Sequence, residues 1–332
     1  MKNIVAQKEY EDMENNFLLR TVVGFLVIVV CVGSSVMCGS QESWAVPTFN
    51  CVGLYWNAPG GSADNVCRVR YRVDGAADWK DALPLWFDGR EMSPVGRAGR
   101  GVETSGKWEH GGQYRGSIVN LQPGTRYEIE LSLEQTKKQK RLKVRTWSEN
   151  FPIGRKLPVS DRDGTLVITE GGTSTGYALY SHLAGSKTAT IDVKNQSKQC
   201  IEVRASYVIV RGLTLRGAQV HAIRIFDGCH DVVIEGCDIS GWGRVSEDGW
   251  GENLDSAVYS SARDLKRVIV QRNKIHHPRG DSNNWREHRP KPGKREPYHP
   301  QGAQAIHFRD SEGNHVFRYN TVFSDDDHQY ND

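Results

Sequence analysis

Short apolar runs recur four times between residues 199 and 323. The first copy reads Ile201-Glu-Val203, Val208-Ile-Val210 and Leu213-Thr-Leu215; the second reads Ala222-Ile-Arg-Ile225, Val232-Val-Ile234 and Cys237-Asp-Ile239. The pattern returns as Ala257-Val-Tyr259, Val268-Ile-Val270 and Asn273-Lys-Ile275, then as Ala305-Ile-His-Phe308, His315-Val-Phe317 and Asn320-Thr-Val322. Runs this short, with alternation and Gly, Asn, Asp or Arg between them, predict strands of three to five residues. Counted on the middle run, Val210 to Ile234 is 24 positions, Ile234 to Val270 is 36 and Val270 to Phe317 is 47. The steps predict one coil of about two dozen residues with loops inserted into the later copies.

A unit of three short strands cannot bury its own apolar face, so the units have to stack. Stacked three-strand coils make a parallel β-helix with an interior of Ile, Val, Leu and Phe. An antiparallel sandwich is the competing arrangement, but the hairpin dipeptide Asn-Gly is missing between the runs. The small-then-apolar starts and the turns Gly236-Cys-Asp-Ile239, Asn273-Lys-Ile275 and Asn320-Thr-Val322 resemble right-handed parallel β-helix repeats of the pectate-lyase-like superfamily. The coils are expected over residues 166–332.

Residues 46–147 carry a different rhythm. Val52-Gly-Leu54-Tyr-Trp56 and Val66–Val73 alternate, and Leu121-Gln-Pro-Gly-Thr-Arg-Tyr127 runs through a Pro-Gly turn into Glu-Ile129-Glu-Leu131. The early Tyr127 is placed to make a corner hydrogen bond back to the loop. With Trp56, Tyr71, Leu121 and Tyr127 as core positions, this stretch resembles a fibronectin type III domain, which implies an accessory module that spaces or binds. The whole chain is therefore expected to be all-β: a fibronectin type III β-sandwich, a linker at 148–165, and a right-handed parallel β-helix solenoid.

Composition alters this picture little. The 43 basic and 40 acidic residues leave a formal charge of +3, so no global field points to nucleic acid. Residues 21–37 are apolar or small and carry no charge; Arg20 precedes them and Ser43-Trp-Ala45 follows. Residues 1–45 thus read as an export signal cut near Ala45 or as an uncleaved membrane anchor, the one membrane contact expected, with the folded part outside the cytoplasm. Five of the seven cysteines follow this segment, an odd number without CxxC spacing, and Cys237 takes the place that Leu213 holds one coil earlier. The chain stops at Asp332 just after a coil and without an amphipathic cap, so a C-terminally incomplete helix is expected.

Candidate chemistry follows from stacking. If Ile223 and Ile225 face inward, Ala222 and Arg224 face outward, as do Tyr259 and His307 on the next coils. Coils lie about 4.8 Å apart, so Arg224, Tyr259 and His307 form one ladder beside a trough of Ala222, Ala257 and Ala305. Insertions near 243–255 and 279–304 enter the strands that carry this ladder. They supply Trp250, Glu252, Asp255, Trp285 and His299 as candidate sugar contacts, since aromatic faces stack on pyranose rings and polar groups take hydroxyls. Asp325, Asp326 and Asp327 are a weak candidate for Ca²⁺ through oxygen ligands, and His276-His277 reads as a structural pair.

The superfamily resemblance implies a carbohydrate-active protein with a polysaccharide partner. For a lyase on an acidic polysaccharide, Arg224 neutralises the carboxylate while Tyr259 and His307 move protons. A glycoside hydrolase instead needs two carboxylates, for which Glu252 and Asp255 are nearest. A non-catalytic glycan- or surface-binding β-helix is the alternative outside enzymology.

Overall fold

The computed structural model describes residues 42–90, 112–247, 249, 251, 252, 254–281, 302–311 and 313–324. Among these the chain is all-β, without a helix, and no helix is long and apolar enough to cross a membrane. The segment 1–41, which holds most of the expected signal or anchor, lies outside the described residues.

The first seven strands are antiparallel: β1 (Ser43–Pro47), β2 (Val52–Trp56), β3 (Cys67–Val73), β4 (Lys80–Asp88), β5 (Gln113–Ile118), β6 (Arg126–Leu133) and β7 (Gln139–Arg145). Their order is β1-β2-β5-β4-β3-β6-β7. Strand β4 joins the halves, because Ala82 and Leu85 pair with β3 while Trp86–Asp88 pair with β5. The sheet closes over Val52, Leu54, Trp56, Tyr114, Ile129 and Leu131, giving a sandwich-like unit. Tyr127 makes the expected corner, its hydroxyl accepting the Gln122 amide at 2.8 Å. Strand β1 takes in Ser43, Trp44 and Ala45, the tripeptide read as a peptidase site, and Trp44 stacks on Tyr55.

The remaining strands form three parallel sheets. Sheet I holds β8 (Ile153–Val159), β10 (Tyr177–His182), β13 (Val208–Arg211), β16 (His230–Glu235), β19 (Lys266–Gln271) and β22 (Val316–Arg318). Sheet II holds β11 (Ala189–Asp192), β14 (Leu213–Arg216), β17 (Asp238–Ser240), β20 (Lys274–His276) and β23 (Thr321–Phe323). Sheet III holds β9 (Leu166–Ile168), β12 (Gln199–Val203), β15 (His221–Ile225), β18 (Ser256–Ser260) and β21 (Gln304–Phe308). The chain visits the sheets in turn, a topology compatible with a parallel β-helix. The register is the one the spacing gave: Val210 pairs with Ile234, Ile234 with Val270, and Val270 with Phe317. Stacking starts earlier than expected, since β8 lies in the stretch read as linker and pairs in parallel with β10. Its Pro158 is tolerated because β8 is the edge strand of sheet I.

Turn geometry fixes where each coil bends from sheet I to sheet II. Gly212, Gly236, Arg272 and Tyr319 occupy corresponding positions, all with φ between 55° and 65°. Glycine adopts this left-handed conformation freely, whereas Arg and Tyr have to be held in it. The residue that follows on the later coils, Asn273 or Asn320, does that holding from inside. Asn273 Oδ1 accepts the Cys237 amide at 2.9 Å, and its Nδ2 donates to Ile234 O and Asn320 Oδ1, both at 3.0 Å. Cys237 is buried, as its equivalence to Leu213 required, and burial pushes its thiol up to about 11.

Sheet I explains why its runs are unbroken rather than alternating. Val208, Val210, Val232, Ile234, Val268 and Val270 point into the coil core. Ile209, Val233 and Ile269, between them, are covered by Phe49 and Trp147 of the preceding unit. A sheet buried on both faces needs apolar residues at every position. Arg318 reinforces this junction, with its guanidinium 3.6 Å from the Phe49 ring centroid and an ion pair to Glu149 at 2.9 Å. Replacing the buried Trp147 by alanine is expected to destabilise the protein by about 3 kcal/mol, read by chemical denaturation; a loss below about 1 kcal/mol would contradict a packed junction.

Candidate functional site

Sheet III presents the site. Its pairing puts Glu202 beside Arg224, Arg224 beside Tyr259, and Tyr259 beside His307. The expected three-residue ladder is therefore present on consecutive coils, and each of its members is half-buried. Glu202 does not compete for Arg224, because Arg204 holds its carboxylate at 2.8 Å. Phe226 supports the two arginines, with Arg204 3.6 Å and Arg224 4.5 Å from its ring centroid.

The expected alanine trough is absent. Ala222 and Ala257 are fully buried in the coil core, and the pairing of β12 with β15 skips Cys200 and Ala222. Alternation breaks at this corner, so Ala222 and Ile223 are both buried and His221 reaches the outer ladder instead. Its ring stacks on Tyr259 at 4.0 Å with planes 2° apart, and Tyr259 stacks on His307 at 5.9 Å. Sequence reasoning missed His221; its signal was a histidine one place before the small residue that opens a coil.

Protonation of the two histidines differs. His221 Nδ1 accepts the Ser256 amide at 3.1 Å. Burial, then the charges of Arg224 and Arg244, push its pKa down to about 3. The neutral ring thus carries its proton on Nε2 and is a hydrogen-bond donor. His307 is the reverse: Nδ1 donates to Gln304 Oε1, and burial lowers its pKa against the opposing pull of Asp310. Neutral His307 therefore keeps a free lone pair on Nε2.

Beside the ladder lies a cleft of about 560 Å³, lined by Asn195, Lys198, Gln219, His221, Arg224, Arg244 and Arg279 among others. Lys198, Arg224, Arg244 and Arg279 are cationic, and among the described residues no carboxylate lines it. Arg224 belongs to both ladder and cleft, whereas Tyr259 and His307 lie on the coils beyond. Asp255, expected to touch a sugar, is only 1% exposed. Arg244 binds it at 2.7 and 2.9 Å through its guanidinium and at 2.8 Å through its amide. Asp255 thus positions Arg244 and is not available as a sugar contact or as half of a carboxylate pair. Glu252 is half-buried, and its amide donates to Arg244 O at 3.0 Å.

Trp250, Trp285, His299 and Asp325–Asp327 lie outside the described residues. Among the described residues no group of three or more His, Cys, Asp or Glu is placed to hold a metal. The cleft's cationic lining does not fit Ca²⁺. His276 has a structural role: Nε2 bonds Asp238 Oδ1 at 3.0 Å and its ring stacks on Phe323. It also meets His277, which has left the strand at φ 52°.

Acid is expected to weaken the fold through His221. From its ordinary value near 6.5 down to about 3, the unfolded chain binds a proton that the folded chain refuses. Stability therefore falls as pH drops through that window and is unaffected by this group above it. An imidazole NMR titration with the His221 midpoint near 3 is expected; a midpoint near 6.5 would contradict the buried, neutral ring. No family model matches the chain, and no curated protein shows significant similarity to it.

Proposed function

We propose that this chain is an exported, polysaccharide lyase-like enzyme acting on an acidic polysaccharide. The observation that carries the proposal is the cleft at the end of the Arg224–Tyr259–His307 ladder, lined among the described residues by four cations and no carboxylate. Such a lining favours a polyanion over a neutral glycan. In this reading the coils are a right-handed parallel β-helix of the pectate-lyase-like superfamily. The N-terminal unit is a fibronectin type III module. Its strand order and the Tyr127–Gln122 corner support that assignment.

Elimination requires a base at C5, a group to quench the uronate carboxylate, and an acid for the leaving oxygen. Arg224 pairs with the carboxylate and so acidifies the C5 proton. His307 Nε2, unprotonated near neutral pH, accepts that proton. The C5 electron pair forms the C4–C5 double bond as the C4–O bond breaks, and the Tyr259 hydroxyl protonates the departing oxygen. His221 Nε2–H donates a hydrogen bond beside Arg224 without titrating near neutrality. The hydrolase reading loses Asp255 to Arg244. Calcium binding, if it contributes, is proposed only for Asp325–Asp327.

Incubating the purified protein with a panel of uronate polysaccharides, with and without Ca²⁺, is expected to raise absorbance near 235 nm. Arg224→Ala, Tyr259→Phe and His307→Ala should each lower that rate about 100-fold or more while circular dichroism stays unchanged. A flat trace with folded protein, or activity that survives all three substitutions, would overturn the proposal in favour of a binding module.

A further inference from the structure

The cleft contains more positive charge than one uronate carboxylate uses. Arg224 sits on the ladder and is assigned to the carboxylate next to the reacting carbon. Lys198, Arg244 and Arg279 line the same cleft, and none of them stands on the ladder. Asp255 balances Arg244. Arg279 Nη1 donates to Gly243 O at 3.1 Å, a backbone carbonyl that carries no formal charge.

These cations are delivered by a braced structure. Arg244 comes from the insertion before β18, and Arg279 stands at the start of the insertion before β21. The Arg279 amide donates to Trp242 O at 2.9 Å, Gly251 N to Asp281 O at 2.9 Å, and Asp281 N to Gly249 O at 3.1 Å. The two backbones approach so closely that a Cβ on Gly280 would lie 2.8 Å from Gly251 N. Trp242 is fully buried beneath them. Two insertions of different length thus meet where each supplies an arginine to one cleft, and a buried aspartate fixes the angle of the first.

Resting on the lyase-like reading of this site, we propose that Lys198, Arg244 and Arg279 bind a second anionic group of the glycan, set apart from the carboxylate held by Arg224. Both arginines present planar donor forks that suit the oxygens of a sulfate ester or a neighbouring carboxylate. His221 lines the same cleft, and its Nε2–H is left to donate to a neutral oxygen of the same glycan. Substrates then differ in binding by the number of charges they carry within a short span, rather than by one carboxylate alone.

The test is calorimetric binding of the full chain to three probes at fixed ionic strength. One is a disaccharide with a single uronate carboxylate, the second adds one sulfate ester, and the third has two uronate carboxylates. One or both doubly charged probes should bind about tenfold tighter than the first, and whichever does so identifies the second group. Arg279→Gln should weaken the preferred doubly charged probe about tenfold more than the single-carboxylate probe, and Arg224→Gln should weaken all three alike. Equal affinities for the three probes, or an Arg279→Gln loss shared by all of them, would overturn the inference. Because binding is read without turnover, a charge preference in a protein that gives no 235 nm signal would overturn the lyase chemistry and leave the second-anion site standing.

Discussion

Burial of short strands on neighbouring coils is the constraint on which everything else depends. No strand of sheets II or III exceeds five residues among those described, so none contributes a core alone. Each inward Val or Ile becomes buried only when the coils above and below cover it, as Ile223 and Val258 show at 0% exposure. Complete burial of such a side chain contributes about 1.5–3 kcal/mol, so a shift of register by one residue would turn a whole row of these to solvent. That penalty locks the register, and the locked register places Arg224, Tyr259 and His307 in line.

The same constraint separates the roles of the sheets. Across its middle strands sheet I is buried on both faces, inward by the coil core and outward by Phe49 and Trp147. Its polar edge is taken up by Arg211, Glu235, Gln271 and Arg318, which bond one another from coil to coil at 2.6–2.8 Å. Sheet III keeps a polar outer face, and Arg244 and Arg279, from the insertions that open before β18 and β21, line the cleft beside it. Chemistry is left to a face that packing does not use.

Much of this was legible in the residue order. The spacing of Val210, Ile234, Val270 and Phe317 gave the register, and alternation around Ile223 and Ile225 gave the outer ladder. The Leu121–Tyr127 motif gave the corner of the first unit. What escaped lies where a local rule meets a tertiary one. Alternation was carried one residue too far at Ala222, where the chain turns a corner, so His221 went unnoticed. Ile153–Val159 looked like linker because it contains Gly and Pro, yet an edge strand tolerates both. Asp255 looked like a surface carboxylate, and nothing in its neighbours signals that Arg244 folds back over it. The both-faces burial of sheet I depends on Trp147, a residue of another unit.

The central claim is that register along sheet III assembles an acidic-glycan site from residues of separate coils. A crystal structure of the protein with a uronate trisaccharide tests it most directly. A carboxylate paired with Arg224, with the chain running past Tyr259 toward His307, is the predicted result. A trisaccharide bound elsewhere on the fold, with Arg224 untouched, would contradict it.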